Sequence, residues 1–368
     1  MNDQSAAGGD PALEELRSRI DEIDAGIQSL ISERATIARE VGEAKGFSRS
    51  AEYYRPEREA HVLREVVRRN EGPLGNEEMV RVFREIMSAC LAQEEPLKVA
   101  FLGPEGTFTQ SAVLKQFGHS VRALSLPTID EVFREVEGGT ADFGVVPVEN
   151  SSEGTVTHTL DMFLSSPLKI CGEIELRIHQ HLMGRMDNVR KIERICSHPQ
   201  SLAQCRAWLA QSLPNVETIP VSSNAAAARR ARDEDGTAAI AGEVAAEVYG
   251  LNIVIPDIED YADNTTRFLV IGPRLFPPSG HDKTSLLISS AGTRGAGVLH
   301  NLLDPLAQGG ISMTRIESRP SRRRRWDYVF FVDIEGHAED EGVHKALAQV
   351  ESHANLFRVL GSYPKAVL

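Results

Sequence analysis

The amino-terminal end of this 368-residue chain has no apolar stretch to serve as a signal peptide or membrane span; Met1 to Asp10 are small and polar and read as a frayed tail. Cysteine is scarce. Cys90, Cys171, Cys196 and Cys205 form no CxxC pair and no His/Cys zinc spacing, so the plain reading is reduced thiols in a cytoplasmic protein, with no metal and no cofactor. Positive charge is also in deficit, 40 Lys and Arg against 53 Asp and Glu for a net charge of -13, which excludes a general nucleic-acid binder because phosphate contacts need a basic footprint. An anionic substrate must therefore meet locally concentrated arginines. The one dense basic run, Arg322 to Arg325, reads as a solvated turn between Pro320 and a strand at Trp326–Val332.

At roughly 100–200 residues per domain the length implies two or three domains. Asp10 as N-cap, Pro11 at the first helical position and Glu14 and Glu15 in the first turn predict a helix start. Leu13, Leu16, Ile20, Ile23, Ile27, Leu30, Arg34, Ile37 and Val41 then recur at steps of three and four, a heptad seam longer than an ordinary globular helix. Helices at Pro56–Arg69 and Asn76–Gln93 follow, split by the turn-forming residues 71–75. Three helices, one very long, bury poorly alone, so a second copy is expected to cover the stripe. Arg34 breaks the seam: a dry, unpaired guanidinium there costs several kcal/mol, so something anionic must meet it. Arg17 and Lys45 flank the same stripe.

After Pro96 the pattern changes to short apolar strands alternating with helices, an α/β signature. Strands are expected at Phe143–Val148, Ile170–Ile178, Val216–Val221, Ala238–Ala241 and Arg267–Ile271, and helices at Pro199–Gln211 and Asn224–Arg232. Gly103–Phe108 leaves a strand and enters a helix, where backbone N–H groups can face an anion; it lacks both GK[ST] and GxGxxG, so alone it is a weak signal. Glu149–Gly154 follows a strand's carboxyl end, where ligands of α/β sheets bind, with a polar helix cap as the bland alternative. Asp263–Phe268 unites a hydroxyl, a guanidinium and an aromatic ring at a strand start. His179 and His181 share a strand face and, without a third ligand at metal spacing, read as core or cleft-wall residues. Beyond the Pro/Gly-rich segment 273–280, strands at Thr284–Ser290, Ser312–Ser318 and Tyr328–Ile334 with a helix near Gly297–Gln308 read as β-α-β-β, closed by a helix near Gly342–Ala354.

Four strings in fixed order, Gly103–Phe108, Val146–Gly154, Asp263–Phe268 and Glu317–Pro320, together with the first ~95 residues resemble the bifunctional chorismate mutase/prephenate dehydratase family over nearly the whole chain. The resemblance implies a tail (1–10), an all-α mutase domain (11–95) forming an intertwined dimer, a two-lobed α/β dehydratase domain (97–274) like the lobes of periplasmic binding proteins, and an α+β ferredoxin-like ACT regulatory domain (282–368). It implies chorismate and prephenate as substrates, phenylalanine as feedback effector, and a homodimer or dimer of dimers with no nucleic-acid or membrane partner.

By position, the resemblance assigns the mutase chemistry to Arg17, Arg34, Lys45, Arg58, Glu59 and Glu94, with Arg17 contributed across the dimer. A Claisen rearrangement needs a folded dianion and a donor at the ether oxygen, not a nucleophile; Glu94 can donate only when protonated, which requires a raised pKa. Arg55 stands where an acidic residue is common and Cys90 where serine is common. For the dehydratase it assigns Thr266 as hydrogen-bond donor to the leaving hydroxyl and Arg267 as a carboxylate-binding residue, with Thr107, Asn150, Ser151, Gln200, Ser201, Asn264 and Phe268 around the substrate. For the effector it assigns Gly295, Ala296, Gly297 and Val298, with Gly297 where leucine is common, and Glu317, Ser318, Arg319 and Pro320. The rival reading is a non-catalytic sensor of an amino acid or small anion, which has no need of Thr266, Arg267, Arg34 or Lys45.

Overall fold

The computed structural model describes residues 11–46, 52, 54–93, 95–290, 297–321 and 328–368. The expected tail, Glu94, Gly295, Ala296 and the run Arg322–Arg325 lie outside them, as does the side chain of Lys45.

Helix α1 (Pro11–Lys45) is continuous for 35 residues, about 52 Å at 1.5 Å per residue. Its apolar seam is left open by the described residues: Leu13, Leu16, Ile20, Ile23, Ile27, Leu30, Ile37 and Val41 are each 45–66% exposed. Helices α2 (Pro56–Arg69) and α3 (Asn76–Leu91) pack on each other through Leu63, Val80 and Met87. Tyr54, just before α2, joins this helical unit to the α/β domain by inserting its ring against Phe117 and Phe143, with centroids 5.2 and 5.1 Å away.

The α/β domain begins with β1 (Lys98–Leu102), α4 (Phe108–Phe117), β2 (Arg122–Leu126), α5 (Ile129–Glu137), β3 (Phe143–Asn150), the short β4 (Gly154–Thr155), α6 (Thr157–Phe163) and β5 (Lys169–Arg177). The Thr128 hydroxyl caps α5 by accepting from the Glu131 N–H at 3.2 Å. The chain then crosses to a second lobe. There β6 (His181–Gly184), β7 (Arg194–Ser197), α7 (Pro199–Gln204), α8 (Arg206–Ser212), β8 (Glu217–Pro220), α9 (Asn224–Asp233), β9 (Thr237–Ala241), α10 (Glu243–Tyr249) and β10 (Asn252–Ile255) build a sheet of order β10-β6-β9-β7-β8. The helix expected over Pro199–Gln211 is in fact two, broken at Cys205. Strand β11 (Thr265–Gly272) returns to the first lobe and completes the order β2-β1-β3-β11-β5, antiparallel to both of its neighbours. Two crossings, 178–180 outward and 256–264 back, thus join the lobes and leave a cleft between them.

The last domain runs β12 (Asp282–Ser290), α11 (Val298–Gln308), β13 (Met313–Pro320), β14 (Tyr328–Glu335), α12 (Glu341–His353) and β15 (Ala354–Pro364), with sheet order β13-β14-β12-β15. This is a βαββαβ unit. Strand β15, beyond the last helix expected from the sequence, lies on the first lobe. Gly361 makes that contact possible: a Cβ there would stand 2.0 Å from the Ile170 carbonyl oxygen of β5. Leu287, Val329, Phe331, Leu360 and Tyr363 share one apolar core with Phe163, Ile170, Leu269 and Ile271, so the C-terminal sheet and the first lobe are packed against each other.

Candidate active sites

A cavity of about 570 Å³ opens where α1, the start of α2 and the end of α3 meet. Arg34, Arg39, Arg55, Arg58, Glu59 and Cys90 are among its lining residues. The Arg34 guanidinium donates to the Cys90 sulfur at 3.1 Å, so the residue that departs from serine still orients the arginine. Burial pushes Glu59 up to about 7, against the opposing pull of Arg84, whose Nε lies 3.6 Å from its Oε1. Neither of those two atoms has a hydrogen-bond partner among the described residues. Arg84 was missed in the sequence, although Val80, Arg84, Met87 and Ser88 lie on the buried face of α3 and the argument that singled out Arg34 applies equally to it. Arg17 is exposed and about 25 Å up the helix from Arg34, seventeen residues at 1.5 Å each, so it cannot reach this cavity within its own chain.

The second cavity, about 440 Å³, is the cleft between the lobes. Of the expected residues, Thr107, Asn150, Gln200, Ser201, Asn264, Thr266 and Phe268 line it. At its centre the orientation of Asn150 is fixed by chemistry: its Oδ1 accepts from the backbone N–H groups of Ser152 (2.9 Å) and Glu153 (3.1 Å), which can only donate. Its Nδ2 therefore donates to Thr266 Oγ1 at 2.8 Å and to Asn264 Oδ1 at 3.0 Å. A hydroxyl that accepts from an amide keeps its own proton free, and among the described residues no acceptor for it is present. Facing them across the cleft, Ser201 and Asn224 are hydrogen-bonded to each other, and Gln180 donates to Ser201 at 3.1 Å while its own Oε1 is buried without a partner among the described residues. Gln180 was not anticipated; it lies in the outward crossing 178–180, and its place in the cleft wall follows from the two lobes that this crossing joins. His198 both lines the cleft and caps α7, accepting from the Gln200 N–H at 3.3 Å.

The Gly103–Phe108 loop closes one end of the cleft. Gly106 has φ +81, and a Cβ there would sit 2.8 Å from the Tyr249 ring, so glycine is needed for the lobes to touch. Thr107 is the N-cap residue of α4, yet its hydroxyl donates to the Pro104 carbonyl at 3.0 Å rather than capping.

Two expectations are corrected. Arg267 does not reach the cleft: between Thr266 and Phe268, which face it, strand alternation turns Arg267 to the opposite side. There Nε meets Glu173 at 3.0 Å, one terminal nitrogen Asp333 at 2.7 Å and the other the Tyr363 hydroxyl at 3.1 Å. Ser151 is not a lining residue; its hydroxyl donates to Asn264 Oδ1 and accepts from the Thr265 N–H at 3.0 Å, stapling β3 to the start of β11. His179 has its Nδ1 2.9 Å from a Glu259 oxygen and 3.2 Å from an Asp257 oxygen, with its ring near-parallel to that of His181 at a centroid distance of 6.4 Å. Sequence spacing offered His179 only His181 as a companion; the return crossing supplies both carboxylates.

In the C-terminal domain, Gly297 sits at φ +84 immediately before α11, a backbone conformation that suits glycine where leucine is common. Along β13, Arg315, Glu317 and Arg319 face the first lobe and Ile316, Ser318 and Pro320 face outward. Glu317 accepts from the Thr155 hydroxyl at 3.1 Å and Arg319 grips Asp161 at 3.0 Å, so half of this expected effector strand is engaged between domains.

Two unrelated cavities in one chain, a guanidinium ring on helices and an amide-and-hydroxyl cleft between α/β lobes, joined to a ferredoxin-like module, define a bifunctional enzyme with a regulatory domain. Known proteins agree. Residues 16–95 match the family Chorismate mutase type II, residues 99–275 Prephenate dehydratase and residues 284–352 the ACT domain. The chain is 55% identical to a bifunctional chorismate mutase/prephenate dehydratase of Stutzerimonas stutzeri over 97% of its own length and 98% of that protein's, and 54% identical to that of Pseudomonas aeruginosa with the same coverage. A prephenate dehydratase from Arthrobacter aurescens, crystallised with L-Phe, superposes with a TM-score of 0.67 at 35% identity over 74% of this chain and 93% of that one. The chain belongs to the bifunctional chorismate mutase/prephenate dehydratase family, and is an isomerase and a lyase in one polypeptide.

Proposed function

We propose that Arg34, Arg58 and Glu59 hold chorismate in the helical cavity while Lys45, Glu94 and a partner's Arg17 complete it, and that Thr266 drives loss of the ring hydroxyl from prephenate in the cleft. The exposed seam of α1 supports the first part, because half of a heptad interface and an arginine about 25 Å from the cavity both call for a second copy. The second part rests on one observation above the others, the Asn150 amide bonded to Thr266 Oγ1 at 2.8 Å. It directs the threonine proton away from the protein and towards whatever occupies the cleft. A threonine is too weak an acid to give up that proton fully, so its contribution is a hydrogen bond that strengthens as the leaving oxygen gains charge.

Phenylalanine is the effector on this reading, bound near Gly297 and the outward residues of β13 and lowering prephenate affinity by linkage. The outward face of this edge strand, with Ile316 and Ser318, supports a site shared between two copies. The protein works as a dimer or dimer of dimers in the cytoplasm; among the described residues no helix is long and apolar enough to cross a membrane. Purified protein given chorismate should accumulate prephenate and then phenylpyruvate, and millimolar phenylalanine should suppress the second step. Binding of phenylalanine without turnover of chorismate or prephenate would instead establish the sensor.

A further inference from the structure

Strands β3 and β11 are paired so that Thr266 lies opposite Asn150 and Arg267 opposite Glu149. The first pair faces the cleft. The second pair faces the C-terminal domain, and both of its members are held there. Glu149 pairs with Arg315 of β13 at 2.9 Å. Arg267 is embedded in a closed set of charges: Glu173 and Lys283, 2.8 Å apart, on one side, and Asp333 on the other, with the Ser285 hydroxyl bridging Asp333 and the Tyr363 hydroxyl at 2.5 and 2.8 Å. Side-chain exposure is 13% for Arg267, 1% for Glu173 and 7% for Asp333. Lys283, Ser285, Asp333 and Tyr363 all belong to the regulatory sheet.

From this geometry we infer that Arg267 is a positioning residue for the dehydratase reaction, seating the strand that carries Thr266 on Asp333 and Tyr363 of the C-terminal domain. A guanidinium with three separate partners fixes the strand in translation and in twist, and its immediate neighbour in sequence is the residue whose hydroxyl must meet the leaving oxygen. A displacement of about 1 Å at such a group costs on the order of 100-fold in rate. The regulatory sheet is therefore part of the scaffold that aims the dehydratase hydroxyl, even in the absence of effector. This inference rests on Thr266 being the donor.

The test uses the full-length enzyme and three variants that leave every cleft-lining residue intact: Asp333→Asn, Arg267→Gln and Tyr363→Phe. Asp333→Asn keeps an acceptor for Ser285 but turns an amide towards the guanidinium. The expected result is a 10- to 100-fold fall in kcat for prephenate with KM within about twofold in Asp333→Asn and Arg267→Gln, a smaller fall in Tyr363→Phe, and a double variant Asp333→Asn/Arg267→Gln no worse than the worse single one, since both remove the same seat. Chorismate turnover by the same preparations, a reaction performed elsewhere in the chain, reports that the protein is folded. A raised KM at unchanged kcat in Arg267→Gln would restore it as a carboxylate-binding residue and overturn the inference. So would an unchanged kcat in Asp333→Asn. Should either of these two variants fail to fold, Tyr363→Phe decides: a lower kcat at constant KM supports the seat, an unchanged one refutes it. Thr266→Val measured alongside separates the two levels, because full activity in it removes the donor assignment whatever the seat variants do.

Discussion

Replacing Thr266 by valine removes one hydroxyl and conserves shape, and the structure says what else changes. Asn150 Nδ2 keeps its bond to Asn264 at 3.0 Å, and Asn150 Oδ1 keeps both backbone donors, so the ground-state cleft survives. What is lost is one donor aimed at a developing oxyanion in a partly enclosed site. Removal of such a donor costs about 2.7–4 kcal/mol, or 100- to 1,000-fold in kcat. Because the hydrogen bond is weak to neutral substrate oxygen and strong only to the leaving one, KM should move less than about threefold. Phenylpyruvate formation from prephenate measures both constants, and chorismate consumption by the same sample controls for folding. Asn150→Ala should be slow as well, and combining it with Thr266→Val should add little, because the amide acts through the hydroxyl. Turnover retained within a few-fold in Thr266→Val, with the change confined to KM, would refute the donor role.

Other consequences are independent of the cleft. Burial holds Glu59 near 7 in the folded protein against 4.5 in its ordinary state, so the folded form binds the extra proton; the contribution of Glu59 to stability is full below about 4.5 and is lost as pH rises through 7, by about 3 kcal/mol in all. Denaturant melts of the wild type and Glu59→Gln should therefore diverge between pH 5 and 8, with the glutamine variant losing less; parallel curves would contradict this. Glutamate at Ile23 and Ile27, in the middle of the exposed seam, should dissociate the paired helices and lower chorismate turnover at least tenfold by withdrawing Arg17, as sedimentation and a chorismate assay would show. Unchanged turnover would mean that one chain suffices. Burial pushes the Cys171 and Cys205 thiols up to about 12, so native protein at pH 8 should resist alkylation there while half-buried Cys90 reacts, which mass mapping after a short iodoacetamide pulse can check.

The family strings and the heptad were legible because they depend on local spacing: Pro11 and the seam set α1, residues 71–75 set the break before α3, and Val99–Leu102 set the first strand almost to the residue. Thr266 and Asn150 could be nominated from the same strings. Their hydrogen bond could not, since it joins residues 116 apart through the β3–β11 pairing. The four-residue β10 escaped notice because so short a run of ordinary propensity becomes a strand only when a neighbour supplies the hydrogen bonds, and the eleven-residue β15 because its pairing partner, β12, lies about seventy residues away in the chain.

By itself the sequence determined three domains in order, a long helix with an uncovered seam, and the residue types at both sites, because each of these is written in periodicity or in contiguous motifs. Only the tertiary structure decided which way those residues point. Arg267 sits between two cleft residues in the chain and yet belongs to another domain's charge network, because successive side chains of a strand leave on opposite faces and the partner waiting on the far face, Asp333, is 66 residues away.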